Sequence, residues 1–203
     1  DPGPGPNEAK DTDTTATIFV VAPTGQNLDT CGPSATPCAT IQWAIDLTHA
    51  DNTVIVRAGT YKECIDARVL GIGSGGIRVE SEEHLRAGTN GATILDGTDK
   101  CGGTGPDAVP GPVAKVHDRS SLRGFTIKGG GASGVWGLGA VAITNNVISG
   151  NTTSSTGGGI RLITGGNLTD PAEKAVIKSN TIQNNTSGSH GAGIYVEATA
   201  DGV

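Results

Sequence analysis

From Asn146 to Leu162 the chain reads "NVISGNTTSSTGGGIRL", and from Asn180 to Val196 it reads "NTIQNNTSGSHGAGIYV". Aligned without gaps at a separation of 34 residues, the two stretches agree at 8 of 17 positions. The matches are Asn146 with Asn180, Ile148 with Ile182, Asn151 with Asn185, Thr152 with Thr186, Ser155 with Ser189, Gly157 with Gly191, Gly159 with Gly193 and Ile160 with Ile194. Upstream, Ile143 falls on Ile177. A shorter register is also present, because "FTIKG" at 125–129 precedes "NVISG" at 146–150 by 21 residues. That points to a basic turn of about this length, with the longer unit carrying an insertion around "TGGNLTDPAEK". Helical tetratricopeptide arrays also repeat every 34 residues, but each of their units needs two apolar helices, which the Gly and Asn here would break. The repeating unit is therefore made of strands.

In a parallel β-helix each turn lies on the one before, so a residue recurs where it stacks on its own counterpart. Ile143, Ile148, Ile160, Ile177, Ile182 and Ile194 then form inward ladders. Asn146 over Asn180 and Asn151 over Asn185 fall at bends, where Asn tolerates left-handed backbone and stacked amides bond between turns. The rest of the chain fits this pattern. After residue 50, short apolar segments such as "TVIVRAG", "GIRVES", "ATILDG", "VAKVHD" and "LRGFTIKG" are separated by Gly, Asn and Asp with no helix-length stretch between them. A βαβ fold is excluded on that ground.

Before residue 50 the pattern differs. "TIFVVA" at 17–22 reads as a strand, and "ATIQWAIDLTHA" places Ile41, Ala44, Ile45 and Thr48 at helical spacing, the one convincing helix. Residues 1–16 are Pro- and Gly-rich without apolar periodicity and are expected to form an extended arm. The expectation is an all-β parallel β-helix with a short capping helix: a cap over about 17–53 and turns over about 54–203. "GIYVEATADGV" offers no helix or polar cap, so the C-terminal end is expected to be open. End-to-end self-association is the partner such an end invites, with "TIFVVA" as a pairing strand.

Composition limits what such a fold does. Of 203 residues, 33 are Gly, 3% are aromatic and none is Met, so the core must be built from aliphatic and small side chains in regular layers. A net charge of -6 argues against nucleic acid as a partner. No apolar run approaches the roughly 20 residues that cross a bilayer. The chain opens at Asp1 without a basic, apolar leader, as expected of a mature product or an excised fragment. Its four cysteines show no zinc spacing. They are expected to form two disulfides, Cys31 with Cys38 and Cys64 with Cys101, with buried thiols as the alternative. Disulfides would place the chain in an oxidising compartment, secreted or at a cell surface.

The stretch "FVVAPTGQNLDTCGPSATPCATIQWAIDLTHADNTVIVRAGTYKECI" resembles the beginning of secreted bacterial right-handed parallel β-helix proteins of the pectin lyase-like superfamily. In these a Cys-flanked turn and "P-C-x-T-I-Q-x-A-I" lead into "V-x-V-x-x-G-T-Y". The likeness is sharpest over 18–61. It implies an N-terminal helix closing the first turn, and an architecture that hosts lyases, hydrolases, epimerases and adhesins alike.

Polysaccharide lyases of that superfamily bind calcium through stacked acidic residues beside an Arg or Lys base. The two repeated stretches hold no Asp or Glu, and Arg161 stacks over Tyr195. Asp96 and Asp99 in "LDGTDKC" read as a solvated turn sooner than as calcium ligands. His117, Asp118 and Arg119 are consecutive, so they point to opposite faces of a strand and cannot converge on one atom. His49 reads as a helix-end residue, and His190 as an exposed corner. "GIGSGG" at 71–76 imitates a dinucleotide motif, but a strand follows it where pyrophosphate binding needs a helix N-terminus. No catalytic residue, metal ligand or cofactor is assigned. Trp136 is the candidate glycan contact, with packing against a neighbouring turn as its plainer role. The sequons at Asn151, Asn167, Asn184 and Asn185 are treated as chance. The expectation is a structural or adhesive β-helix module, in an extracellular assembly or filament. The rivals are a lyase- or epimerase-type carbohydrate enzyme, with a groove walled by Thr164 to Lys174, and a glycan-binding module.

Overall fold

A computed structural model describes residues 17–69, 75–88, 91–103, 109–164 and 174–198. The proposed arm at 1–16, most of the insertion between Thr164 and Lys174, most of "GIGSGG", and Asn167 lie outside the described residues. The chain opens with β1 (Ile18–Val21) and α1 (Ile41–Leu47). It then repeats one circuit. The first pass is β2 (Thr53–Val56), β3 (Gly59–Tyr61) and β4 (Ile65–Ala67). The second is β5 (Arg78–Ser81), α2 (Glu82–Ala87), β6 (Thr93–Asp96) and β7 (Pro112–Val116). The third is β8 (Ser121–Arg123), β9 (Thr126–Lys128) and β10 (Ser133–Leu138). The fourth adds a short strand: β11 (Ala142–Thr144), β12 (Val147–Ser149), β13 (Thr152–Thr153) and β14 (Ile160–Thr164). The last is β15 (Val176–Lys178), β16 (Thr181–Gln183), β17 (Thr186–Ser187) and β18 (Ile194–Ala198).

Each pass lays one strand on each of three stacked sheets. The first sheet runs β1-β2-β5-β8-β11-β15, the second β3-β6-β9-β12-β16 and the third β4-β7-β10-β14-β18. Every strand pair among the described residues is parallel, from β1 on β2 through β14 on β18. The molecule is thus all-β, a stack of parallel sheets compatible with a β-solenoid. Segments such as "LRGFTIKG" and "AVAITNNVISG" each bend once and supply strands to two sheets. "SGVWGL", which carries Trp136, is β10 in the third sheet.

The core is three ladders running through the stack. The first sheet contributes Phe19, Val54, Val79, Leu122, Ile143 and Ile177 in register. Tyr61, Leu95, Ile127, Ile148 and Ile182 line the second, and Ile65, Ala114, Val135, Ile160 and Ile194 line the third. Leu122, Ile127, Ile143, Ile148 and Ile160 are wholly buried. Burial of each such side chain contributes about 1.5–3 kcal/mol. The last layer is barer: Ile177 and Ile182 are half-buried, and Ile194 is 42% exposed.

The asparagine ladders form, one position away from the expected left-handed residue. Positive φ falls on Gly124, Asn145 and Ser179 at one corner and on Gly129, Gly150 and Asn184 at the other. Asn146 and Asn180, and Asn151 and Asn185, come immediately after and turn their amides inward. Asn146 Oδ1 accepts from Phe125 N, and its Nδ2 donates to Leu122 O and Asn180 Oδ1. Asn180 Oδ1 accepts from Asn146 N, and its Nδ2 donates to Ile143 O. Asn151 and Asn185 repeat the pattern, with Gly130 N and the carbonyls of Ile127 and Ile148 as partners. A buried corner thus keeps its backbone groups bonded.

The N-terminal end is closed. α1 begins at Thr40, whose side chain accepts from Trp43 N, and buries Ile41, Ala44 and Ile45 against β1, β2 and β4. Thr48, expected within the helix, caps its C-terminus instead. The outer edge of β1 is taken by the loop that the Cys31–Cys38 disulfide closes. Val20 N donates to Gly32 O, Cys38 N donates to Val20 O, and Ala22 N donates to Cys38 O. A second bridge, Cys64–Cys101, ties the start of the third sheet to the loop that follows β6. "TIQWAIDLTH" is joined by a helix that the sequence reading did not anticipate, α2. Ser81 caps it by accepting from His84 N, and Gly88 ends it at φ 65.

Candidate functional site

The outer face of the third sheet gathers more chemistry than any other described wall. Because side chains alternate along a strand, the residues beside the buried Ile65, Ala114, Val135 and Ile160 point outward. Stacking them in register gives one row: Asp66, Lys115, Trp136, Arg161 and Tyr195. Trp136 is half-buried, with Lys115 Nζ 5.8 Å and Arg161 Cζ 5.5 Å from its ring centroid. Cations over an indole ring are attracted by its quadrupole. The indole N–H donates inward, to Ala132 O and Ser133 Oγ. Trp136 therefore packs against neighbouring turns rather than standing as an open aromatic plate.

A groove of about 560 Å³ runs beside this row, lined by Lys62, Glu63, Asp66, Lys100, Lys115 and the Cys64–Cys101 bridge, among others. Of its carboxylates, Glu63 is held by the backbone. Glu63 reaches back over α1 and accepts from Ile41 N and Gln42 N, both at 2.9 Å. Burial pushes the Glu63 carboxyl above its ordinary range, and the two backbone hydrogen bonds partly offset this. Asp66 Oδ1 lies 2.7 Å from His117 Nε2, a contact whose alignment falls outside hydrogen-bond geometry. A second depression, of about 520 Å³, holds His117, Asp118 and Arg119 along with Arg68. The three consecutive residues do share one depression, where Arg119 Nε lies 3.7 Å from Asp118 Oδ2. Asp118 Oδ1 accepts from Ala140 N, and Arg119 takes a left-handed backbone at φ 61.

The remaining sequence candidates are held apart. Asp96 Oδ2 pairs with Lys128 Nζ at 3.0 Å, and Asp99 Oδ2 pairs with Lys62 Nζ at 3.0 Å. Burial alone would raise the Asp96 carboxyl, but hydrogen bonds from Thr98 and Lys128 together hold it below its usual range. Arg161 Nη2 pairs with Glu197 at 3.1 Å. His190 is exposed, its Nδ1 2.6 Å from Ser189 Oγ. His49 follows the helix cap and its carbonyl accepts from Asn52 N. Among the described residues, no three His, Cys, Asp or Glu side chains gather as metal ligands. No described helix is long and apolar enough to cross a membrane. The residue that sequence reasoning missed is Glu63, whose partners lie more than 20 positions upstream and leave no local pattern.

Comparison with protein-family models, with curated proteins and with solved structures yields no match.

Proposed function

We propose that this chain is a structural module of a secreted or cell-surface protein, a right-handed parallel β-helix of the pectin lyase-like kind whose rigidity is its role. The observation that carries this reading is how the wall charges are disposed. Lys62 with Asp99, Asp96 with Lys128 and Arg161 with Glu197 each join one turn to the next. Groups held for acid-base chemistry have to be free to meet a substrate; these pairs instead bind successive layers together. Two disulfides support an oxidising, extracellular setting. Incubation with pectate, alginate and glycosaminoglycans, with and without calcium, is expected to produce no unsaturated uronate absorbance. Turnover that disappears on mutating Asp96, Asp99 or Arg119 would replace this reading with the enzymatic one.

A second reading is favoured by the groove itself. Lys62, Lys100 and Lys115 in its lining, with Trp136 one layer beyond Lys115, suit adhesion to a polysaccharide without turnover. Retention on immobilised acidic polysaccharide that weakens in Lys100→Glu and Lys115→Glu would support it. Equal elution of the variants and the parent would remove it.

A further inference from the structure

We infer that the Cys64–Cys101 bridge is a site of reversible thiol exchange, which takes up a small anionic thiol as a mixed disulfide on Cys64. The two disulfides of the chain sit in different surroundings. Cys31 and Cys38 are 5% and 0% exposed, and the depression of about 250 Å³ that Cys31 borders has no charged side chain in its lining. Cys64 and Cys101 instead help to line the groove of about 560 Å³, together with Lys62, Lys100 and Lys115. Their two sulfurs are unequally open. Cys101 is 4% exposed, and its Sγ lies so close against Gly97 that a Cβ there would collide with it. Cys64 is only partly buried. An incoming thiolate therefore meets Cys64 first.

The charges around the bridge favour an anion. Exchange brings one thiolate in and sends another out, so neighbouring cations assist both movements. Lys62 is paired with Asp99, but Lys100 and Lys115 form no ion pair among the described residues. The carboxylates of the groove face other partners: Glu63 accepts from Ile41 N and Gln42 N, and Asp66 Oδ1 lies 2.7 Å from His117 Nε2. In the exchange the thiolate attacks Cys64 Sγ, the bond to Cys101 Sγ breaks, and Cys101 leaves with the electron pair as a thiolate that takes a proton from water. One protein disulfide becomes one mixed disulfide, with no further oxidant or reductant. Hydrogen bonds hold both flanks without the bridge. Gly111 N and Gly131 N donate to Cys101 O, and Cys101 N donates to Gly97 O. On the other side, Asp66 N donates to Gln42 Oε1. Cys101 thus stays beside the adduct and attacks it in turn, releasing the small thiol and restoring the bridge.

The test treats the 203-residue chain at a fixed pH with mercaptoacetate, mercaptoethanol and cysteamine, which are anionic, neutral and cationic, and refers each rate to the thiolate concentration of the reagent. Alkylation followed by peptide mapping identifies the bridge that opens and the cysteine that carries the adduct. Cys64–Cys101 is expected to open about tenfold or more faster than Cys31–Cys38, with the adduct on Cys64. The anionic thiol is expected to lead the cationic one by about fivefold at low salt, a lead that about 1 M salt removes. Lys100→Glu/Lys115→Glu is expected to reverse that order while leaving the Cys31–Cys38 rate unchanged, and Lys100→Glu alone to move it part of the way. Withdrawal of the free thiol is expected to restore the bridge. Five results would overturn the inference: both bridges opening at one rate, an adduct on Cys101, rates that ignore the charge of the thiol, a double variant that keeps the parent's order, or an adduct that persists once free thiol is withdrawn.

Discussion

At the scale of single residues, the corners determine what the repeat conserves. Asn146 is wholly buried and its amide serves three partners: Phe125 N, Leu122 O and Asn180 Oδ1. Asn146→Ala leaves a buried N–H and a buried carbonyl without partners, and is expected to cost about 3 kcal/mol in urea denaturation. Asn146→Asp keeps the acceptor but loses both donated bonds, so it is expected to be no better. The position before each ladder asparagine behaves differently. Gly124, Asn145 and Ser179 occupy equivalent left-handed corners, with φ of 84, 56 and 56. Serine has neither glycine's freedom nor asparagine's tolerance there, so Ser179→Gly is expected to stabilise the chain by about 0.5–1 kcal/mol. A destabilised Ser179→Gly variant would show that the corner is not strained. Gly124→Ala combines the same backbone strain with a Cβ that would collide with the Cβ of His84, and is expected to be markedly worse.

At the scale of elements, the repeated strands were legible and the helical features only partly so. Ile148 on Ile182 and Asn151 on Asn185 follow from the alignment because stacking copies position onto position, so sequence period and spatial register coincide. α2 was missed because its six residues bury none of their side chains and show no apolar stripe. The usable signal was Ser81 before two glutamates and Gly88 at the far end. Glu63 as the cap of α1 was beyond sequence reading, since tertiary folding alone brings it there. The two engaged carboxylates titrate in opposite senses. Glu63 is raised by burial, so its favourable contribution is present below the ordinary Glu value of about 4.3 and is lost as pH rises through the raised one. Glu63→Gln is therefore expected to gain on the parent in thermal stability as pH climbs from 4 to about 7. Asp96 is held low, so its contribution is full above the ordinary Asp value of about 3.9 and disappears as pH falls through the depressed one. The deficit of Asp96→Asn is expected to shrink below about pH 4. A deficit that does not change with pH would mean that the contribution of Asp96 does not depend on its charge.

At the scale of the whole molecule, a stack in which each layer touches only its neighbours divides its stability by layer rather than sharing it through one compact core. The layers are unequally covered. Leu122, Ile143, Ile127 and Ile148 are wholly buried in the middle of the stack, whereas the last described layer leaves Val176, Ile194 and Val196 exposed. The first layer is protected by α1 and the disulfide loop. In the 203-residue chain taken by itself, opening is expected to begin at β15, β16 and β18 and to travel toward β1. Two chemically identical changes isolate this effect. Asn151 and Asn185 make matching ladder bonds, but Asn151 is wholly buried and Asn185 lies in the exposed layer. Asn151→Ala is expected to cost about 1–2 kcal/mol more than Asn185→Ala, because its orphaned partners have no route to water without opening two layers. Amide exchange supplies the second measure. The amides of β15 and β16 should exchange well before those of β8 and β9, and Asn185→Ala should quicken the former while leaving the latter unchanged. Equal costs for the two alanines, with uniform exchange from β2 to β18, would mean that the stack opens as a single unit.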